Sequence, residues 1–379
     1  MSSPTPRRRA ARDSDAGAPG PGAQPSGEPT AAVDPAASLV GSAGRTAGSA
    51  EGSAGGTRPG ALMKPVSRVG DRIFSGLSST IAVALAVLVV VILVFLVKTA
   101  LPALSANDAN FFTTRTWQTR ETPLHFGIQA LLWTTVISSV LALLAAVPLA
   151  IGIALFITQL APKKLSGPVA FVVDLLAAVP SIVFGLWGGI VLGSSGIVVW
   201  LREVVIDVLG WIPIFSEVNG WADPTGTIFL ASMVLTMMIL PIITAVTRDV
   251  MLQTPRDQIE ASMALGATRW EVIRLAVLPH SRSGIISGSM LGLGRALGET
   301  LAVTLILQTI SPIQLKKSLN LSIFTGGETF ASKIARDFSE ATNDPRALGA
   351  LVASALTLFV ITFIVNAAAR IIAERGVAR

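Results

Sequence analysis

Six apolar runs punctuate the chain, each near the length that crosses a bilayer. A helix rises 1.5 Å per residue, so about 20 apolar residues span a hydrocarbon core of ~30 Å. The runs are Leu77–Val97, Gly127–Ile157, Val169–Leu192, Thr227–Val246, Gly284–Leu307 and Ala347–Ala367. The second is longer than a bilayer needs and contains Pro148, which predicts tilt, a kink or protrusion. Pro180 and Pro241 fall inside the third and fourth. A seventh apolar stretch, Gly196–Phe215, carries Arg202, Glu203 and Asp207, and reads as a helix lying at the interface. Residues 1–70 lack any apolar period and are dominated by Ala, Gly, Ser and Pro. Such a composition buries too little surface to offset ordering, so a disordered tail is expected there. Residues 71–379 are expected to form an all-α, polytopic membrane domain of six transmembrane helices.

Composition agrees and closes off other classes. Of 379 residues, 51% are apolar and 14% charged, against about a quarter charged in soluble domains. Mean hydropathy is +0.66. A soluble enzyme and a coiled coil are excluded. With no Cys, disulfides, thiol catalysis and cysteine metal sites are excluded too. His125 and His280 lie far apart, so no His-rich metal site is expected.

The net charge of +6 matters through its distribution, which reports orientation rather than nucleic-acid binding. With the N-terminus inside, the tail, the 158–168 and 247–283 loops and the C-terminus hold 19 of the 29 Lys and Arg. The outer loops hold 9, and one lies within a span. The expectation is a multi-pass cell-membrane protein with both termini cytoplasmic. Trp133, Trp187, Trp200, Trp211 and Trp221 all fall near the outer boundary, as an aromatic belt would. Arg7, Arg8, Arg9 and Arg12 read either as a patch attracted to anionic lipid or as a solvated cluster that helps hold the N-terminus inside. The first apolar run begins too far along, and runs too long, for a secretory signal peptide.

The loop at 248–283 reads as a docking element. Residues 257–265 are strong helix formers, and Gly266 permits a turn that a side chain would obstruct. Thr268 can cap a second helix from Arg269 to about Val277, which is expected to stop at Pro279. Small residues on the first helix allow another protein to approach closely.

The fifth run holds a charged pair. Arg295 lies eleven residues past Gly284, roughly 16 Å along a helix. That is about half the hydrocarbon thickness, where an Arg costs roughly 2.5–3.5 kcal/mol on insertion scales. Such residues face a wet cavity or a bundle interior and often mark a pathway. The planar guanidinium suits a tetrahedral oxyanion. Glu299, four residues on, would share its face. Glu299 would hold the guanidinium or accept the hydrogen of a protonated oxyanion, favouring phosphate over fully ionised sulfate. The competing interpretation is an intrahelical ion pair, or a bridge to a partner subunit, without substrate contact. Gly288, Gly292, Gly294 and Gly298 form small-xxx-small spacings that let helices pack closely. Asp174, in the third run, reads as a pathway residue, as a residue at the cytoplasmic interface, or as one paired with a neighbouring polar group. His280 and Arg282 are expected to face solvent or headgroups.

The string Glu260-Ala261-Ser262-x3-Gly266, followed after nine residues by Ala276-Val277-Leu278-Pro279, resembles the "EAA" loop of binding-protein-dependent ABC importer permeases. It keeps Glu260, Ala261, Gly266, Leu278 and Pro279 at the family spacing and departs at Ser262 and Ala276. The string Gly294-Arg295-Ala296-Leu297-Gly298-Glu299-Thr300 resembles the permeases of phosphate-specific ABC importers, more their PstC type than the sister PstA type. Ala177–Gly185 also resembles that family's pattern.

The resemblance covers roughly residues 75–375 and implies a type I ABC importer fold. It implies Arg295 and Glu299 in phosphate passage, and an ATPase-docking role for Glu260, Ala261, Gly266, Leu278 and Pro279. It also implies a second, PstA-like permease, two cytoplasmic ATPase subunits and an extracytoplasmic phosphate-binding protein. No Gly-x-x-x-x-Gly-Lys sequence occurs, so ATP would be bound and hydrolysed by the partner chains; this chain is expected to carry no cofactor and to be no enzyme. Two other functions stay open at this point: an ABC permease for another oxyanion such as molybdate or sulfate, and an ATPase-independent anion transporter.

Overall fold

The computed structural model describes residues 69–120, 123–218, 224–310 and 321–377. The expected disordered tail, apart from its last two residues, and Trp221 lie outside the described residues. Twelve helices and one short hairpin make up the regular structure among them.

The centre is helix α6, Ile228–Leu252, capped by the Thr227 side chain, which accepts from the Leu230 amide. It is apolar on all sides, as a helix surrounded by others must be. Helix α2, Gln129–Leu155, packs along one side and runs on as a π turn, Phe156–Leu160. Its Ala142, Ala146, Ala150 and Ala154 recur every fourth residue and are fully buried. With no side chain beyond Cβ, that stripe lets the two backbones approach. Helix α9, Leu278–Leu297, packs along α6 through Gly284, Gly288 and Gly292, opposite Val250, Val246 and Ile243. The small-xxx-small expectation holds for Gly288 and Gly292, and the seam extends to Gly284; Gly294 and Gly298 lie outside it.

A Cβ at Gly284 would sit 2.3 Å from a Val250 methyl. Overpacking of this kind costs about 1–3 kcal/mol. Gly284→Ala is therefore expected to lower the apparent Tm of the detergent-solubilised protein, and Gly294→Ala to leave it unchanged.

Four helices are long and apolar enough to cross a membrane: Gly70–Ser105, Gln129–Leu160, Ile228–Leu252 and Pro345–Ile371. The first belongs to α1, Val69–Ser105, and the last to α12, Pro345–Val377. The other two expected spans are not continuous. The third is split into α3, Lys163–Ala177, and α4, Ser181–Trp187, which runs on to Leu192 in a π turn; the two halves meet at 92°. Pro180 makes the corner: it lacks an amide hydrogen and takes an extended conformation ahead of α4. The fifth is split into α9 and α10, Leu301–Ile306. The described residues thus give four spans, or five with the bent pair, in place of six unbroken helices.

Helix α5, Gly196–Leu209, is too short to cross a membrane. It exposes Ile197, Trp200, Val204 and Val208 while burying Val198 and Arg202, in keeping with the interfacial expectation. Arg202 pairs with Glu217 at 3.3 Å and lies over the Phe324 ring. Three elements have no counterpart among the predicted spans: strands β1 (Trp117–Gln118) and β2 (His125–Phe126), paired antiparallel, and helix α11, Phe330–Ala341.

Candidate functional site

Two places carry the candidate residues. The first is the loop after α6. Helix α7 spans Arg256–Ala264 and exposes Glu260 and Ala261. It ends in a Schellman closure, in which the Ala267 amide donates to the Ser262 carbonyl and the Gly266 amide to that of Met263. Gly266 has φ +85° with open space around it, so backbone conformation and not crowding demands glycine there.

Thr268 caps α8, Arg269–Val272, in a full capping box with Glu271. The Thr268 amide and hydroxyl both donate to the Glu271 carboxylate, at 2.7 and 2.8 Å. These bonds hold the Glu271 pKa below the usual carboxylate value. Beyond the expected residues, the turn presents Leu265, 90% exposed, with Met263 and Trp270 also exposed.

The expected stop at Pro279 does not occur. A π turn, Ile273–Val277, joins α8 directly to α9, and Pro279 occupies the first turn of α9. The π turn carries the helix past it: the Leu278 amide donates to the Ile273 carbonyl, and Pro279, which has no amide hydrogen, follows directly after that widened turn. Leu278 packs against the cluster of Met251, Ile273 and Val277. The backbone is therefore helical from Arg269 to Leu297 without interruption.

The second place is where the two broken helices meet. Helix α4 packs on α10, and a Cβ at Gly185 would lie 2.7 Å from the Ala302 Cα. The two segments singled out in the sequence, 177–185 and 294–300, thus flank one junction. Arg295 is exposed in the last turn of α9. Glu299 is 9% exposed, and its Oε1 accepts from the Ala302 amide at 3.2 Å.

The two side chains form no ion pair. Helix α9 ends at Leu297, and Gly298 (φ −93°, ψ 3°) and Thr300 (φ −110°, ψ −60°) leave the helical path. The four-residue spacing therefore no longer sets a common face, and an intrahelical pair is ruled out for this conformation. A cavity of about 310 Å³ runs along the α4–α10 junction, lined by Gly185, Gly189, Thr225, Leu305, Gln308 and Arg336. Non-helical backbone at membrane depth is tolerated where protein covers it or it borders a wet cavity.

Asp174 is not at this junction. Both its oxygens lie 3.3 Å from Arg248 Nη1, tying α3 to the end of α6, as the paired alternative expects. His280 and Arg282 are exposed. Arg336 is the residue that sequence reasoning missed. It sits on an amphipathic helix too polar for a hydropathy window, and only its partners single it out. No cluster of His, Asp and Glu able to hold a metal occurs among the described residues.

A membrane-embedded helical core with broken helices at its junction and a projecting two-helix loop defines a transport component. The chain belongs to the family of binding-protein-dependent transport system inner membrane components, which it matches over residues 146–376. It is 47% identical over 312 residues to phosphate transport system permease protein PstC 2 of Mycobacterium tuberculosis, covering 82% of this chain and 94% of that one. It is 48% identical over 318 residues to phosphate transport system permease protein PstC of Mycobacterium leprae, covering 83% and 96%. Among solved structures, a chain of a bacterial alginate ABC transporter in complex with an alginate pentasaccharide-bound periplasmic protein aligns at 18% identity and a TM-score of 0.48, covering 81% of this chain and 99% of that one.

Proposed function

We propose that this chain is a permease subunit of an ATP-driven inorganic phosphate importer. Its closest support is the α4–α10 junction, where two interrupted helices leave the buried carboxylate of Glu299 and the exposed guanidinium of Arg295 near one another in sequence but unpaired. A cation that is exposed at a helix break and unpaired among the described residues is available to an anion in transit. Identity at nearly half of the aligned positions with proteins named as phosphate transport permeases, over most of the chain, supports phosphate as that anion.

In this reading both termini and the α7–α8 loop are cytoplasmic. The loop seats against one of two ATPase subunits through Glu260, Ala261 and Gly266, with Leu265 and Trp270 as apolar anchors; Leu278 and Pro279 join it to α9. A second permease completes the pathway, and an extracytoplasmic binding protein delivers phosphate. ATP binds to the ATPase subunits alone. ATP-driven closure of those subunits biases a two-state equilibrium between outward and inward openings.

The test is purification of the intact complex, reconstitution in vesicles, and measurement of ATP hydrolysis and uptake. Phosphate-loaded binding protein is expected to stimulate hydrolysis, and excess sulfate or molybdate to leave phosphate uptake unchanged. Uptake that persists without ATP under a proton gradient would overturn the reading.

A further inference from the structure

Helix α10 has only six residues, Leu301–Ile306. A helix that short does not hold itself together in isolation, because its end groups outnumber its internal bonds. Both its ends are held by charged side chains from outside it. At the N-terminal end, Glu299 Oε1 accepts from the Ala302 amide. At the C-terminal end, Arg336 Nη2 donates to the carbonyls of Thr304 and Leu307, each at 2.6 Å. The usual partner of the Thr304 carbonyl would be the Gln308 amide, which instead donates to Gly226. Arg336 Nη1 donates to Thr309 Oγ1 at 2.8 Å and to Glu328 at 3.4 Å. The signs suit the helix dipole at both ends.

Arg336 is itself fixed from the other side. It lies on α11, whose first residue, Phe330, is fully buried and donates its amide to Thr135 of α2 at 3.1 Å. Glu328, just ahead of α11, also accepts from Lys333 at 3.2 Å. A chain of contacts therefore runs from α2 through α11 and Arg336 to the carbonyls of α10, along α10, and from the Ala302 amide to the Glu299 carboxylate.

We propose that Arg336 is a positioning residue for transport: it clamps α10 from α11, and so sets where the Glu299 carboxylate stands. Movement of α11, which the proposed orientation places on the extracytoplasmic side, is delivered to the helix break through this clamp. The proposal rests on the placement of Glu299 in the pathway.

The chain has no native cysteine, so one introduced thiol reports on one position. Val303 in α10 and Val234 in α6 are each 1% exposed. In the reconstituted complex, Val303→Cys and Val234→Cys are expected to react slowly with a maleimide, read on this chain by mass. Adding Arg336→Gln is expected to speed labelling at position 303 at least tenfold and at 234 less than twofold. In the complex without introduced cysteines, Arg336→Gln should lower phosphate moved per ATP hydrolysed at least fivefold, and Arg336→Lys, which lacks the planar fork, should fall between. Arg120→Ala, which breaks an exposed pair with Glu340 away from α10, serves as the control and should change neither readout.

Unchanged labelling at 303, or equal acceleration at both positions, would overturn the clamp. Labelling requires no transported solute. Wild-type complex that moves no phosphate, with labelling as expected, would sink the phosphate reading while leaving the clamp standing.

Discussion

Arg295→Gln is expected to reduce phosphate uptake by more than about a hundredfold while the complex still assembles. A hydrogen bond to a charged group contributes about 1.5–3 kcal/mol, and a guanidinium can make two to one oxyanion. Losing both removes about 3 kcal/mol or more, and each 1.4 kcal/mol is a factor of ten. Arg295 is exposed and, among the described residues, makes no hydrogen bond or ion pair that would hold the fold, so Gln should be tolerated structurally. Arg295→Lys keeps the charge without the fork and should recover part of the uptake. Glu299→Gln makes the complementary change: the amide oxygen can still accept from Ala302, so α10 stays capped while the charge disappears. Initial-rate uptake in vesicles, with complex yield measured alongside, checks all three. Normal uptake by Arg295→Gln in a well-assembled complex would remove this residue from the pathway.

The second large effect is expected at Gly266. Its φ of +85° belongs to the left-handed region, where a residue with a side chain costs about 1–2 kcal/mol. Gly266→Val adds a β-branched side chain to that cost, for which this region is a true outlier. No neighbour lies within 4 Å to be displaced, so the strain falls on the α7–α8 turn alone. The turn then reorients, carrying Leu265 and Trp270 off their expected seat on the ATPase. Binding-protein-stimulated ATP hydrolysis should drop at least tenfold, with little change in the stability of the membrane helices. Gly266→Asn, which tolerates left-handed backbone better, should retain more activity than Gly266→Val.

Apolar length read the straight helices well. The fourth expected run, Thr227–Val246, begins at the residue that caps α6, because a threonine ahead of a long apolar run is both a chemical and a positional signal. The loop was legible as far as the turn and the start of α8, since glycine and a capping threonine act locally; the expected stop at Pro279 was not borne out, because a π turn carries the helix past it. Its capping box was open to view as Thr268-x-x-Glu271.

Direction was not legible. Hydropathy sums along the chain and is blind to turns, so Pro180 signalled a disturbance without revealing a 92° corner. The break at Gly298–Thr300 has no proline, and its glycine resembles those that merely pack α9 on α6. The intrahelical pair of Arg295 and Glu299 failed for that reason: spacing sets a common face only while the helix lasts. Arg336 was invisible because its contacts to α10 are backbone carbonyls, which every residue possesses.

The uninterrupted helical path from Arg269 to Leu297 makes residue number a matter of timing as well as reach. One residue added to a helix advances its far end by about 1.5 Å and swings it through about 100°. The tally of residues between the inner turn and the break therefore works like the teeth between two gears. A lone insertion along this shaft would aim the Arg295 guanidinium at a different wall.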